Sequence, residues 1–448
     1  MVNFEIKNGV LSNYYGSDRE IVIPKSVHSI ANYTFANSPY LERIEISNGV
    51  VNIGYDAFRN CENLKEIVIP SSVISIGDGA FIGCDNLERV IIDENNEMYT
   101  IIDNVLFSKD KKSLIRYFSV KNDILYTIPD GVTSINCYAF ENCNKLKKVE
   151  IPNSVISIGE WAFRDCTNLK RVNIPEGVQF IGDSSFRNCR SLERIEIPST
   201  VIKIEDCAFS ECTHLMELKI LNGIKSIGTF AFSKCRSLQR IELPNSITKI
   251  GTDVFQGCSN LREARISSSM TSISEGTFRD CTNLKEVKIP DSVKSIGKLV
   301  FLRCRSLQGI ELPNSIIKIG SDAFQGCSGL KKIKIPNKVN SIVSGTFQDC
   351  SNLEEIEVPS VLASIGKNAF YNCINLKKIK IPKKLLSIGK NAFYNCESLE
   401  KIEIPSKVMS IDKCAFNNCY NLQVEIPKSI KNIASNAFNG CKEVTYLD

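Results

Sequence analysis

Histidine is almost missing from this 448-residue chain: His28 and His214 are the only two, beside one tryptophan and five methionines. Two imidazoles so far apart argue against a histidine-built metal centre and leave no base standing next to a nucleophile. Long apolar runs are missing as well. No stretch approaches the roughly 18 residues that a bilayer-spanning helix needs. The opening MVNFEIKNGV has neither the basic start nor the apolar stretch of a signal peptide. As written, the sequence reads as soluble and cytoplasmic with no membrane insertion, or as cell-surface or secreted if a leader has been removed. Charge of one sign is scarce too. The 55 basic and 50 acidic residues leave a net +5, too small an excess to argue for nucleic acid or an anionic membrane as partner.

What is plentiful is cysteine, nineteen in all, and its spacing explains the length. Phenylalanine falls at Phe35, Phe58 and Phe81, resumes at Phe140, and recurs every 23 residues to Phe416, with Phe438 one residue early. The result is seventeen copies of a unit close to L-x-x-I-x-I-P-x-S-V-x-S-I-G-x-x-A-F-x-x-C. The decapeptide SIGKNAFYNC even stands twice, at Ser364–Cys373 and Ser387–Cys396. A fixed period of roughly 20–50 residues marks a solenoid, because one unit cannot bury its own apolar face. Length alone would suggest two or three domains; the period replaces them with a single continuous stack.

Each unit has three parts. L-x-x-I-x-I is an alternating run that reads as a strand. The proline after it cannot donate to a ladder, so it marks where pairing stops, and fourteen of the fifteen prolines stand there, Pro39 being the exception. V-x-S-I-G is a second extended piece. A-F-x-x-C-x-x-L spaces its apolar residues by three, which predicts one or two helical turns.

The pattern resembles the leucine-rich repeats, and closely the BspA-like group of bacterial and protozoan surface proteins, on the strength of IEIPSKVMSIDKCAFNNCYNL (Ile402–Leu422) and its sixteen relatives. The resemblance implies an α/β solenoid: a right-handed leucine-rich repeat of about seventeen coils, with a parallel β-sheet on one face and short helical turns on the other. It also implies adhesion or protein binding, although one fold hosts many roles. Two segments break the period. Residues 1–19, with Asn8-Gly9 between apolar runs, predict a β-hairpin cap. Three coils then fill 20–92. Residues 93–127, where Asp103-Asn104 can turn, predict a β-hairpin insert, before fourteen further coils over 128–448.

Sixteen cysteines lie three residues after a unit's phenylalanine. Equivalent side chains in stacked coils stand about one coil apart, beyond the ~3.5–4.5 Å between Cβ atoms that a disulfide prefers. No C-x-x-C pair exists to clamp zinc. The thiols therefore read as small buried packing residues. Cys137, Cys207 and Cys414 lie off that column and are expected to be partly exposed. The glycines of GDGAFIG, from Gly77, occupy repeat positions and do not form a phosphate loop. No catalytic, cofactor-binding or metal-ligating set emerges, and the chain reads as a non-enzyme without cofactors.

Function then falls to exposed columns. The position between the two isoleucines reads Glu196, Lys219, Glu242, Arg265, Lys288, Glu311, Lys334, Glu357, Lys380, Glu403. Its near-strict alternation predicts a sheet zipped by lateral charge pairs, with Lys377, Lys378 and Lys380 among them. The candidate partner-binding residues are Lys147, Lys148, Lys170, Arg171 and Arg194 on three successive strands, with Tyr138 and Trp161 on nearby coils, and the exposed pair Tyr371 and Tyr394. For the aromatics near the insert, local packing against that hairpin is the competing reading. The expected role is a protein-binding or adhesin-like scaffold whose partner is a host or matrix protein or a surface glycan. The alternative is a structural spacer without a specific partner.

Overall fold

The structure, a computed structural model, describes residues 4–118 and 123–447. It divides into two compact units, Met1–Thr213 and His214–Asp448. In both, most coils are built from two short parallel strands and a run of turns; the coil at 307–320 keeps only the second strand, Lys318–Ile319. Glu355–Glu357 shows why the first strand forms: its side chains alternate exposed, buried, exposed, the period-two pattern of a half-buried strand. Pairing stops before Pro359, whose carbonyl instead accepts the amide of Leu362 at 3.1 Å. The second strand, Ser364–Ile365, pairs in parallel with Ser341–Ile342 and Ser387–Ile388, one period away on either side. The glycine that follows it lets coils close up. At Gly389 a Cβ would stand 2.9 Å from the Gly366 carbonyl carbon.

The expected helical turns are not there: among the described residues there is no helix. The reason lies in the backbone. Asn368 and Asn372, four residues apart, both take left-handed φ values, 56° and 58°, and a left-handed residue ends a right-handed helix. Amides along the segment alternate between two uses. Tyr371 and Cys373 donate to the carbonyls three residues back, at 3.2 and 3.1 Å. Phe370 and Asn372 donate to Ala392 and Tyr394 in the next coil, at 2.7 and 2.9 Å. Hydrogen bonds that a helix would keep within the segment are thus spent on stacking. The fold is an all-β stack of coils, not the α/β one expected.

Under the turns runs the core. The phenylalanine rings stack face to face, 4.8 Å apart for Phe140 and Phe163 and 5.0 Å for Phe370 and Phe393, with planes within 10°. All four are fully buried.

The first unit opens with an antiparallel hairpin, Phe4–Lys7 against Val10–Tyr14, turning at Asn8 and Gly9 with φ 53° and 76°. Its second strand pairs in parallel with Ser29–Ile30, so Leu11 takes the place of an isoleucine in the column. A similar substitution follows the third coil. Tyr99–Ile102, Val105–Ser108 and Ser113–Tyr117 form an antiparallel meander. Asp103 and Asn104 both have positive φ, as a two-residue type I′ loop requires. Ser113–Tyr117 then pairs in parallel with Ser134–Ile135, aligning Leu114 with Ile135. Each hairpin therefore ends in a strand that serves as a rung of the sheet. Counting these, the second-strand rungs among the described residues number nine in the first unit and ten in the second, two more than the phenylalanine repeat predicts.

Candidate functional site

The outward side of the first strands is a ladder of charges, and many rungs are closed by ion pairs one period apart. In the first unit Arg43 reaches Glu66 at 2.8 Å, and Glu66 also receives Arg89 at 3.1 Å. In the second, Arg240 meets Glu263 at 2.9 Å and Arg265 meets Glu242 at 3.2 Å. Lys332 and Lys334 meet Glu355 and Glu357 at 2.9 and 3.0 Å. The hydrogen bond from Lys332 holds the Glu355 carboxyl below its ordinary pKa.

The zipping is incomplete where it was expected to be tight. Lys377 pairs with Glu354 at 3.3 Å. Lys378 and Lys380 make no ion pair among the described residues, and the acids at equivalent positions on the adjacent strands are engaged elsewhere. Glu355 and Glu357 go to Lys332 and Lys334, and Glu403 goes to Lys401 at 3.5 Å. Like charges also abut here, since Lys378 lies in register with Lys401.

The basic residues beside the insert share a strand face. Lys148 is in register with Arg171 on adjacent strands, and Arg194 opens the strand Arg194–Ile197. Lys148 is held by Glu150 at 2.6 Å and Lys170 by Glu193 at 3.8 Å. Lys147 and Arg171 are exposed and make no ion pair among the described residues.

Tyr138 and Trp161 do not join that cluster. They occupy the turn segments, both at left-handed φ, with ring centroids 4.7 Å apart. Beneath them sits a residue the sequence did not single out. Arg116, 7% exposed and carried by the insert's last strand, donates to the carbonyls of Tyr138 and Glu141. Burial raises the Glu141 carboxyl pKa, countered by the nearby Arg116 and Arg164 guanidinium groups. Burial also pushes the Tyr138 phenol up to about 12. The signal for Arg116 was a single arginine amid the apolar SLIRYF, flanked by buried Leu114 and Tyr117. In the second unit Tyr371 and Tyr394 stack at 5.0 Å with planes 8° apart, half-buried.

All nineteen cysteines are free. Column thiols do more than fill space: Cys166 donates to the Phe140 carbonyl at 3.0 Å, and Cys373 to that of Phe347 at 3.1 Å. Burial pushes the pKa of Cys327 up to about 12, far from a reactive thiolate. Cys137, Cys207 and Cys414 are half-buried. Cys207 and Cys414 occupy left-handed turn positions. No group of three or more metal-ligating side chains occurs among the described residues, and no helix there is long and apolar enough to cross a membrane.

Among solved structures, the chain is similar to a leucine-rich repeat protein from Bacteroides ovatus, at 26% identity, covering 100% of this chain and 98% of that one with a TM-score of 0.56. It is also similar to a leucine-rich cell surface protein from Faecalibacterium prausnitzii, at 25% identity, covering 78% of this chain and 95% of that one with a TM-score of 0.42. No curated protein matches it. The family described as BspA type leucine rich repeat region matches in successive stretches, 5–126, 116–217, 203–331 and 318–445. Those stretches take in nearly every stacked coil, and the chain belongs to the BspA-type leucine-rich repeat family.

Proposed function

We propose that this chain is a non-catalytic scaffold with an adhesin-like role, holding a partner protein on its outward strand face, with the basic cluster beside the insert as a contact area. The observation that carries this reading is the division of labour within each coil. Inward columns repeat isoleucine, phenylalanine and cysteine, buried in nearly every coil. The outward positions change charge from coil to coil, and surface variation on a rigid repeat frame is how solenoids build binding faces. Lys147 and Arg171, with no carboxylate engaged, supply cationic groups that an acidic partner surface can use. Charge complementarity of this kind acts mainly on association rate and specificity.

The test is binding of the purified chain to an array of immobilised extracellular-matrix proteins. Lys147→Glu/Lys148→Glu/Arg171→Glu is compared with the unmodified chain after circular dichroism confirms its fold. Binding falls about tenfold or more in the triple variant, and falls with added salt. Binding unchanged by the triple reversal removes the cluster from the interface.

A further inference from the structure

Four unpaired lysines of the second unit line a cleft. Lys378, Lys380, Lys383 and Lys384 border a space of about 1080 Å³ whose lining also includes Pro405 and Leu447, the latter 41% exposed. None of the four makes an ion pair among the described residues. Of the three acids in the same lining, Glu403 and Glu425 both lean on Lys401, at 3.5 and 3.1 Å, which leaves Glu400 alone against the four lysines.

The chain itself displays what complements this arrangement. Two periods before Lys378 and Lys380, Lys332 and Lys334 face Glu355 and Glu357 in strict register, and both pairs close at about 3 Å. Two lysines separated by one residue on a strand are matched there by two glutamates separated by one residue on the adjacent strand. Alternate residues of an extended chain share a face and stand about 6.6–6.8 Å apart, so the two spacings agree by construction. Lys378 and Lys380 repeat the lysine half of that device without its acidic half. No arginine is in the lining to grip a planar anion with a two-pronged bond, so the cleft presents a row of separate point charges.

We propose that this cleft binds an extended acidic segment of a partner protein, with carboxylates at alternate residues directed to Lys378 and Lys380, and with Lys383 and Lys384 receiving further negative charge along the segment. A flanking apolar side chain has Pro405 and Leu447 to cover. The assignment rests on the scaffold reading above and names the chemistry of one of its partners.

The experiment is fluorescence anisotropy of the full chain with a labelled peptide of alternating glutamate and valine. A peptide of the same composition with its glutamates in one block, and a sulfated oligosaccharide of matched charge, serve as the other probes. The alternating peptide is expected to bind, to weaken with salt, and to lose about tenfold or more in Lys378→Glu/Lys380→Glu. A charge-matched control on the same unit, Lys249→Glu/Lys294→Glu, keeps the affinity, and circular dichroism confirms that both variants fold. The proposal is overturned if the alternating peptide does not bind, if the block peptide binds equally well, if the double variant binds unchanged, or if the oligosaccharide binds more tightly through the same lysines. Failure here with matrix-protein binding still dependent on Lys147, Lys148 and Arg171 overturns the cleft and leaves the scaffold reading standing.

Discussion

The strand faces at 147–196 and at 331–425 are made from the same rung, yet they handle positive charge in different ways. Beside the insert, lysines are mostly answered from within: Lys148 by Glu150 on its own strand, Lys170 by Glu193 on the next. The rigid part of that region is a buried arginine that pins the turn segments. At 331–425 there is no such anchor. Successive strands carry blocks of one sign, so Lys332 and Lys334 are satisfied completely while Lys378 and Lys380, of the same spacing, are left over. Adjacency to an acid therefore does not neutralise a lysine. What matters is whether that acid is already taken.

The largest expected effect comes from breaking the anchored region at its buried charge. Arg116→Met removes two donors from the Tyr138 and Glu141 carbonyls and strips Glu141, 4% exposed, of a nearby guanidinium group. Glu141 keeps Arg164 at 3.6 Å, so the cost is mainly that of two carbonyls losing their charged donors, on the order of 2–3 kcal/mol. A fall in the urea midpoint should be accompanied by faster amide exchange in Val105–Ser108 and Ser113–Tyr117. The corresponding change on the other face, Lys332→Met, touches only an exposed pair and should leave the midpoint where it was. Equal effects for the two variants would erase the distinction between an anchored and an unanchored face.

Much of the fold was legible because the repeat is strict where burial is complete. Phenylalanine spacing located the ring stack, and the proline after each first strand located its end. The turns were misread as helical because Ala-Phe-x-x-Cys has a spacing of three, which helices and successive turns share. A second signal was present. The residue just before the column cysteine is asparagine, aspartate or glycine in most coils, as at Asn142, Asp165, Asn372 and Gly440, and all four have positive φ. Those residue types tolerate left-handed backbone best. The hairpin strands serving as rungs were less visible, since Leu11 and Leu114 replace isoleucine and no phenylalanine unit accompanies them. On the surface, the column between the isoleucines alternates and suggested a closed zipper. The column two residues earlier reads Lys332, Glu355, Lys378, Lys401, and its repeated lysine is what leaves Lys378 without an acid of its own. The basic cluster and the aromatic pair near the insert looked like one patch because they share coils; within a coil, strand and turn positions face different ways.

A smaller effect distinguishes the two aromatic pairs. Tyr371 and Tyr394 stack nearly parallel, whereas the Tyr138 carbonyl is held from below by Arg116. A double-mutant cycle of Tyr371→Ala and Tyr394→Ala should give a coupling of about 1 kcal/mol, the range for a packed ring pair. The Tyr138→Ala and Trp161→Ala cycle should couple less in the Arg116→Met background than in the unmodified chain. Identical coupling in both backgrounds would mean that Arg116 does not support the pair.

The smallest effect tests the comparison at a single proton. The Glu355 carboxyl sits below its ordinary value of about 4.5, first through the hydrogen bond from Lys332 and then through its charge. A carboxylate whose pKa is lowered by folding adds stability above its unfolded pKa, and that stability is lost as pH falls through the folded pKa. The loss should therefore begin as pH drops under about 4.5 and finish once the depressed folded pKa has been passed. Carbon-detected NMR titration of the side-chain carboxyl should place Glu355 below an unpaired glutamate, and Lys332→Gln should return it toward the ordinary value. Lys378, one strand away on the other side, contributes only a minor share of the lowering. Lys378→Gln should accordingly shift Glu355 much less than Lys332→Gln does. If the two substitutions move it equally, Glu355 is shared between both lysines, Lys378 is not electrostatically spare, and the cleft loses one of the two charges on which its acidic ligand depends.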